Sequence, residues 1–282
     1  MNDKVENPVE GGVENPVEGR DERIDRLKIT KVSSGKKEET YDVVVTEAPL
    51  TILLNEEKLI TLLCTPQEQE YLAMGFLFSE GFIQNKKESE RINFDRKRNE
   101  INIVTKSKGQ LPSNFSQPKT QTSGCAKGVT FSNIGDIDPA KDLLIDLQTT
   151  LSFSEIQRLM HEFEKRSVLF RKTGGVHAAA LANKEKILIY SEDIGRHNAV
   201  DKVFGKCLLE EISCEDKILL LSGRISSDIL AKASKSRLSI IVSRSAPTSL
   251  AVRNVQKLGV TLVGFARGSK MNVYSFPLRI TT

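Results

Sequence analysis

The strongest constraint on the fold is a run of alternating short apolar strands and helical segments across the second half of the chain. Lys186 to Tyr190, Lys217 to Leu221, Leu238 to Val242 and Val260 to Val263 read as strands. Asn198 to Leu209, Ser227 to Lys235 and Thr248 to Lys257 read as the helices between them. The strands are continuous rather than alternating in hydrophobicity, as expected where helices cover both faces of a sheet. This half is therefore predicted to be a layered α/β domain, over residues 119–282.

The first half has a different rhythm. Tyr41 to Thr46, Leu50 to Leu54 and Lys58 to Leu63 are β-type runs, with Asn55-Glu56 as a hairpin turn, and they predict a small antiparallel sheet. Thr65-Pro66 supplies a helix start, Tyr71, Leu72, Phe76 and Phe78 share one side of the helix, and Gly81 stops it. Two more strands are expected at Arg91 to Asp95 and Glu100 to Thr105. The polar, proline-bearing loop from Ser107 to Thr120 marks a boundary, giving a smaller, mainly β N-terminal domain over residues 27–118. Before it, Val5 to Gly11 repeats as Val13 to Gly19, and residues 1–26 read as a disordered acidic tail.

In the first twenty residues Lys4 and Arg20 face Asp3, Glu6, Glu10, Glu14 and Glu18, so a chain of formal charge +4 leaves about +7 on its body. That suits an anionic partner, although scattered solvated lysines explain as small an excess. Cys64, Cys125, Cys207 and Cys214 have no paired metal spacing, and there is no signal-peptide pattern or long apolar run. Reduced thiols, a cytoplasmic location, and neither membrane nor nucleic-acid binding are expected. Cys64 and Cys207 sit in apolar runs as small core residues. Cys214 precedes Glu215 and Asp216, whose charge is expected to make it a poor nucleophile.

Cys125 lies in Thr122-Ser-Gly-Cys-Ala-Lys-Gly128, between two glycines with Lys127 beside it. This is a setting for a reactive thiolate, while on spacing alone an ordinary cysteine in a glycine loop is the commoner reading. Thr173-Gly-Gly-Val-His177 places a histidine at the entry to an apolar segment, as a catalytic group or one satisfied by backbone. A zinc nucleobase deaminase needs His-x-Glu with Pro-Cys-x-x-Cys. Ala179 stands where the glutamate would be and no Cys-x-x-Cys exists, so no zinc site is expected. Asp193, Arg196, His197 and Asn198 crowd a strand-to-helix loop. Arg224 in Ser222 to Asp228 and Ser243-Arg244 in Ser243 to Ser249 each follow a strand end and precede a helix, a pattern suited to anions. Gly264 to Lys270 is either a plain hairpin or a loop in which Phe265 stacks on a base and Arg267 holds a phosphate.

Taken together, Thr-Ser-Gly-Cys-Ala-Lys-Gly, Thr-Gly-Gly-Val-His, Glu-Asp-Ile-Gly-Arg-His-Asn-Ala-Val-Asp-Lys, Ser-Gly-Arg-Ile-Ser, Ser-Arg-Ser-Ala-Pro-Thr and Gly-Phe-Ala-Arg-Gly resemble the formate dehydrogenase accessory sulfurtransferase family (FdhD/NarQ), in family order from about residue 40 onward. The resemblance implies a cytidine-deaminase-like α/β domain without zinc. It implies a sulfur carrier that accepts a persulfide on Cys125 from a cysteine desulfurase and passes the sulfur to the molybdenum cofactor before that cofactor enters formate dehydrogenase. It further implies that Phe265, Ala266, Arg267, Gly268, Ser269 and Lys270 contact Mo-bis(molybdopterin guanine dinucleotide) through its guanine nucleotide moiety, and that the protein is a homodimer. Lys127, His177, Asp193, Arg196, His197, Arg224, Ser243 and Arg244 are further candidates for cleft contacts. Some members carry a second cysteine three residues after the first. Gly128 stands there, so a single thiolate is expected to suffice. A nucleotide-binding regulatory module, or a chaperone for formate dehydrogenase that moves no sulfur, would use the same loops without Cys125.

Overall fold

The computed structural model describes residues 21–106, 119–121 (backbone alone) and 149–282. The repeat, Cys125 and Lys127 lie outside the described residues. The chain enters through a hairpin of β1 (Ile24–Ser33) and β2 (Lys36–Val45), turned at Ser34 and Gly35, both with positive φ (50° and 79°). β1 thus begins inside the stretch assigned to the acidic tail, because Ile24 has a full register of partners starting at Val45.

β3 (Ala48–Leu54) and β4 (Glu57–Cys64) follow, joined at Asn55 and Glu56 in left-handed backbone (φ 52° and 72°). Helix α1 (Gln69–Glu80) starts later than the Thr65-Pro66 signal, with Glu68 in the cap position making no side-chain cap bond, since Thr65 is engaged elsewhere. Gly81 (φ 84°) ends it as expected. β5 (Ser89–Asp95), β6 (Glu100–Thr105) and β7 (Lys119–Gln121) complete a sheet of order β5-β6-β3-β4-β7. The sheet is mixed rather than antiparallel: β6 runs parallel to β3, and β7 to β4. Its buried face, including Leu50, Ile52, Ile60 and Ile101, packs with Leu72 and Leu77 of α1.

After β8 (Leu151–Ser152) come α2 (Phe153–Arg166) and α3 (Val168–Thr173), then β9 (His177–Ala182) and β10 (Ile187–Asp193). The rest alternates: α4 (Arg196–Leu209), β11 (Ile218–Leu221), α5 (Ser227–Lys235), β12 (Ile240–Ser243), α6 (Ser249–Val255), β13 (Thr261–Arg267) and β14 (Lys270–Val273), with β15 (Ile280–Thr281) beside β8. The large sheet has order β10-β9-β11-β12-β13-β14, and β11, β12 and β13 are parallel. Alternate residues feed two cores. Leu219, Leu221 and Ile241 meet Val203, Phe204, Ile229 and Val255 of α4, α5 and α6 on one face. Ile218, Leu220 and Val242 meet Ile156, Leu159 and Phe163 of α2 on the other. The layered α/β reading of this half therefore holds.

The two sheets are joined where α1 crosses α4. Gly75 and Gly205 sit at the crossing, and a Cβ on either would fall inside a carbonyl of the opposing helix, Asp201 or Tyr71 respectively. Beside it Phe78 and Phe204 meet edge to face at 6.2 Å.

Candidate functional site

The loops leaving β11, β12 and β13 collect at one edge of the large sheet, together with the start of β9, which runs the opposite way, and the end of β10, which runs the same way as β11. Ligands of open α/β sheets bind at this kind of edge. The edge divides into an inward part and an outward part.

The inward part is built on Asp193, which is wholly buried rather than lining a cleft. Its carboxylate pairs with Lys202 Nζ at 2.6 Å and accepts from the Thr65 N–H and hydroxyl at 3.1 and 3.0 Å. It also accepts from the Gly195 N–H and the Asn198 amide, each at 2.9 Å. Asn198 donates in addition to the Leu63 carbonyl at 2.9 Å. The end of β4 is thereby fastened to the β10–α4 loop. A second buried cluster sits one turn further on, where Asp201 accepts from Ser79 at 2.6 Å and from Lys232 at 2.6 and 2.8 Å, tying α4 to α1 and α5. Ser243 is likewise structural, being fully buried and donating to the Gly223 carbonyl at 2.6 Å. Glu192 caps α3, accepting from the N–H groups of Leu169 and Phe170, both at 3.2 Å.

The outward part is open. His177 opens β9 against the loop that follows β11: its neighbour Ala178 donates its N–H to Ser222 Oγ at 2.9 Å, and a Cβ on Gly223 would lie 3.2 Å from His177 Nδ1 and 3.3 Å from Arg196 Cβ. Burial, with Arg196 and Arg224 nearby, depresses the His177 pKa, so the imidazole is neutral at neutral pH. His197 is held lower still, at about 3, by burial and by Lys232, Arg196 and His177. Arg224 is exposed. The hydroxyls that follow cap the next helices: Ser226 accepts from the Ile229 N–H and Thr248 from the Ala251 N–H.

Two pockets adjoin here. The larger, ≈ 620 Å³, is lined by Phe163, Phe170, His177, Arg171, Arg244 and Arg267 among others. The smaller, ≈ 390 Å³, is lined by Gln157, Arg158, His161, Gly268 and Lys270, and both share Glu164 and Arg267. Arg158, Arg171, Arg244, Arg267 and Lys270 therefore line the pair of pockets together with one carboxylate, Glu164. That carboxylate lies 3.0 Å from Arg244 Nε without hydrogen-bond geometry, while Arg267 Nε donates to the Arg244 carbonyl at 2.7 Å. Phe265 stands at a bulge between β13 and β14 in left-handed backbone (φ 52°), 41% exposed. Ser269 is exposed. Ala266 differs from the rest of its loop, because its side chain is buried under α2.

Sequence reasoning missed the contribution of α2 and α3, which supply Gln157, His161, Glu164 and Phe170. A signal was present: Ser152 and Glu155 form a reciprocal capping box, and Ile156, Leu159, Met160 and Phe163 recur at helical spacing. Cys64 is a core thiol as expected, its pKa pushed up to about 12 by burial. Cys214 departs from expectation: a hydrogen bond from Cys207 and the charge of Lys217 lower its pKa, against the effect of burial.

Among the described residues no group of three or more His, Cys, Asp or Glu side chains could hold a metal ion, and no helix is long and apolar enough to cross a membrane. The chain is similar to the sulfur carrier protein FdhD of Bacillus pumilus, 41% identical over 240 residues, or 85% of this chain and 91% of that one. It is similar also to the sulfur carrier protein FdhD of Bacillus subtilis, 39% identical over 252 residues, or 89% and 95%. A crystal structure of a formate dehydrogenase accessory protein from Desulfotalea psychrophila superposes with a TM-score of 0.72 at 28% identity, covering 91% of this chain and 99% of that chain. The model of the FdhD/NarQ family matches residues 45–281, and this chain belongs to that family.

Proposed function

We propose that this protein is a cytoplasmic sulfur carrier required for formate dehydrogenase activity. Relatives carry the name sulfur carrier protein FdhD, and the observation that supports a polyanionic substrate is the pair of pockets, together a trough lined by five cations and the single carboxylate of Glu164 at the strand-end edge. In this reading the thiolate of Cys125 attacks the outer sulfur of a cysteine desulfurase persulfide. A new S–S bond forms on Cys125 as the donor's S–S bond breaks, and the donor cysteine leaves as a thiolate. Mo-bis(molybdopterin guanine dinucleotide), bound as substrate in the trough with its metal reduced, would then take that sulfur: the Cys125 S–S bond breaks, Cys125 leaves as a thiolate, and the metal supplies the two electrons that bring the sulfur to the sulfide level. Arg244, Arg267 and Lys270 hold the cofactor's phosphates, Phe265 stacks on a guanine, and His177, neutral and lining the pocket, accepts or returns a proton. His197 is assigned no such role, being held near 3 and absent from the pocket lining.

The separate cores support two units close to 27–118 and 119–282, with Ile24 to Arg26 and β7 falling on the N-terminal side, and we place the second with the cytidine-deaminase-like folds that lack zinc. Family resemblance extends the proposal to a homodimer. Expression in a bacterium lacking its own copy tests the whole reading. The unaltered chain restores formate dehydrogenase activity, whereas Cys125→Ala does not. Full activity with Cys125→Ala would leave a cofactor chaperone that moves no sulfur.

A further inference from the structure

At the C-terminal end of α4 a pair of thiols lines one pocket. Cys207 occupies the last turn of α4. The chain then reverses through Glu211 in left-handed backbone (φ 55°), with the Ile212 N–H donating to the Cys207 carbonyl at 2.8 Å. This reversal brings Cys214 back onto the same apolar cluster as Cys207, and both thiols line one pocket of ≈ 610 Å³. The other charged groups around that pocket are Lys86, Lys87, Lys235 and Arg237 against Glu211 and Glu215, so cations predominate. Cys207 is 4% exposed, whereas Cys214 is half-buried and is the sulfur a reagent reaches first. The interaction between the two neighbouring thiols favours the thiolate on Cys214 and disfavours it on Cys207, and Lys217 adds to the first effect.

We propose that Cys207 and Cys214 form a redox-active dithiol site, separate from Cys125, that exchanges with small anionic disulfides entering the cation-rimmed pocket. Cys214 thiolate attacks one sulfur of the small disulfide. A mixed disulfide forms as the reagent's own S–S bond breaks, and the first small thiol leaves. Cys207, losing its proton, then attacks the Cys214 sulfur, breaks the mixed disulfide and releases the second thiol. The two protein thiols are oxidised by two electrons, the reagent is reduced to two thiols, and the two protons lost by the protein end on them. The bridge would tie the end of α4, the helix carrying Asn198, Asp201 and Lys202, to the segment leading into β11.

Oxidised glutathione is the probe, applied to the full chain carrying Cys125→Ala so that Cys125 does not compete, with intact and peptide mass spectrometry as readout. The expected result is loss of two hydrogens and a peptide linking Cys207 to Cys214. With Cys207→Ala added, the reaction stops at a glutathione adduct on Cys214. A persistent glutathione adduct on Cys214 in the chain that retains Cys207, or no change at either cysteine, would overturn the proposal.

Discussion

Between Glu192 and Lys202 most polar side chains, Asp193, Asn198, Asp201 and Lys202 among them, turn inward, whereas between Phe265 and Lys270 they mostly turn out. Asp193 and Lys202 have no exposed surface and satisfy one another with Thr65 and Asn198. Phe265, Arg267 and Lys270 are exposed at the rim of the trough. Both stretches read in sequence as dense polar loops at strand ends, and the difference lies in what packs above them. The end of β4 covers the first, through Leu63 and Thr65, while the second belongs to a bulged edge hairpin. A buried ion pair is a poor source of net stability but costly to break from one side. The first loop is therefore sensitive to structure and the second to ligand.

That contrast sets the order of the expected effects. Lys202→Met leaves the Asp193 carboxylate buried without its cation and should cost about 3–5 kcal/mol in urea unfolding. The double change Lys202→Met with Asp193→Asn should recover part of it, because the amide removes the unpaired charge while its oxygen still accepts from the surrounding donors. Gly205→Ala forces α1 and α4 apart and should cost about 1–3 kcal/mol in the same measurement.

Acid should act at the start of α4 as well. His197 titrates near 3 when folded but near 6.5 in an unfolded chain, so between those values the unfolded state binds the extra proton. Stability from this group is complete above about pH 6.5 and is lost as pH falls toward 3, with a slope of up to ~1.4 kcal/mol per pH unit. Unfolding free energies of His197→Gln across that range should show a shallower slope. Arg267→Ala, on the outward side, should shift stability by no more than about 0.5 kcal/mol. It should nevertheless weaken binding of guanosine diphosphate in calorimetry. A large loss of stability from Arg267→Ala would erase the distinction between the two loops.

Much of this was legible in sequence. The strand and helix alternation located β10 to β13 and α4 to α6 within a few residues, because continuous apolar runs with capping hydroxyls such as Ser226 and Thr248 carry their own boundaries. The hairpin of β1 and β2 was half hidden: Tyr41 to Thr46 read as a strand and matches the end of β2, but β1 went unread, since Leu27 and Val32 are exposed and no buried face imposes an alternation. The role of Thr65 was misread for a related reason. A threonine before proline looks like a helix cap, and only the three-dimensional approach of Asp193, 128 positions away in sequence, redirects its hydroxyl. At the trough, sequence identified the cationic loops but not the helix that faces them. Glu164, Gln157 and His161 become site residues only because α2 lies across the sheet edge. Asp193 and Ser243 were drawn toward the site by their loops, and burial removed them from it.

The central claim is that sulfur rides on Cys125. It is tested most directly by incubating the full chain with an active cysteine desulfurase and cysteine, then analysing the Cys125 peptide by mass spectrometry with Cys125→Ala in parallel. The account predicts a reducible gain of one sulfur atom on that peptide and none in the variant. An unmodified Cys125 peptide while the desulfurase turns over would contradict it.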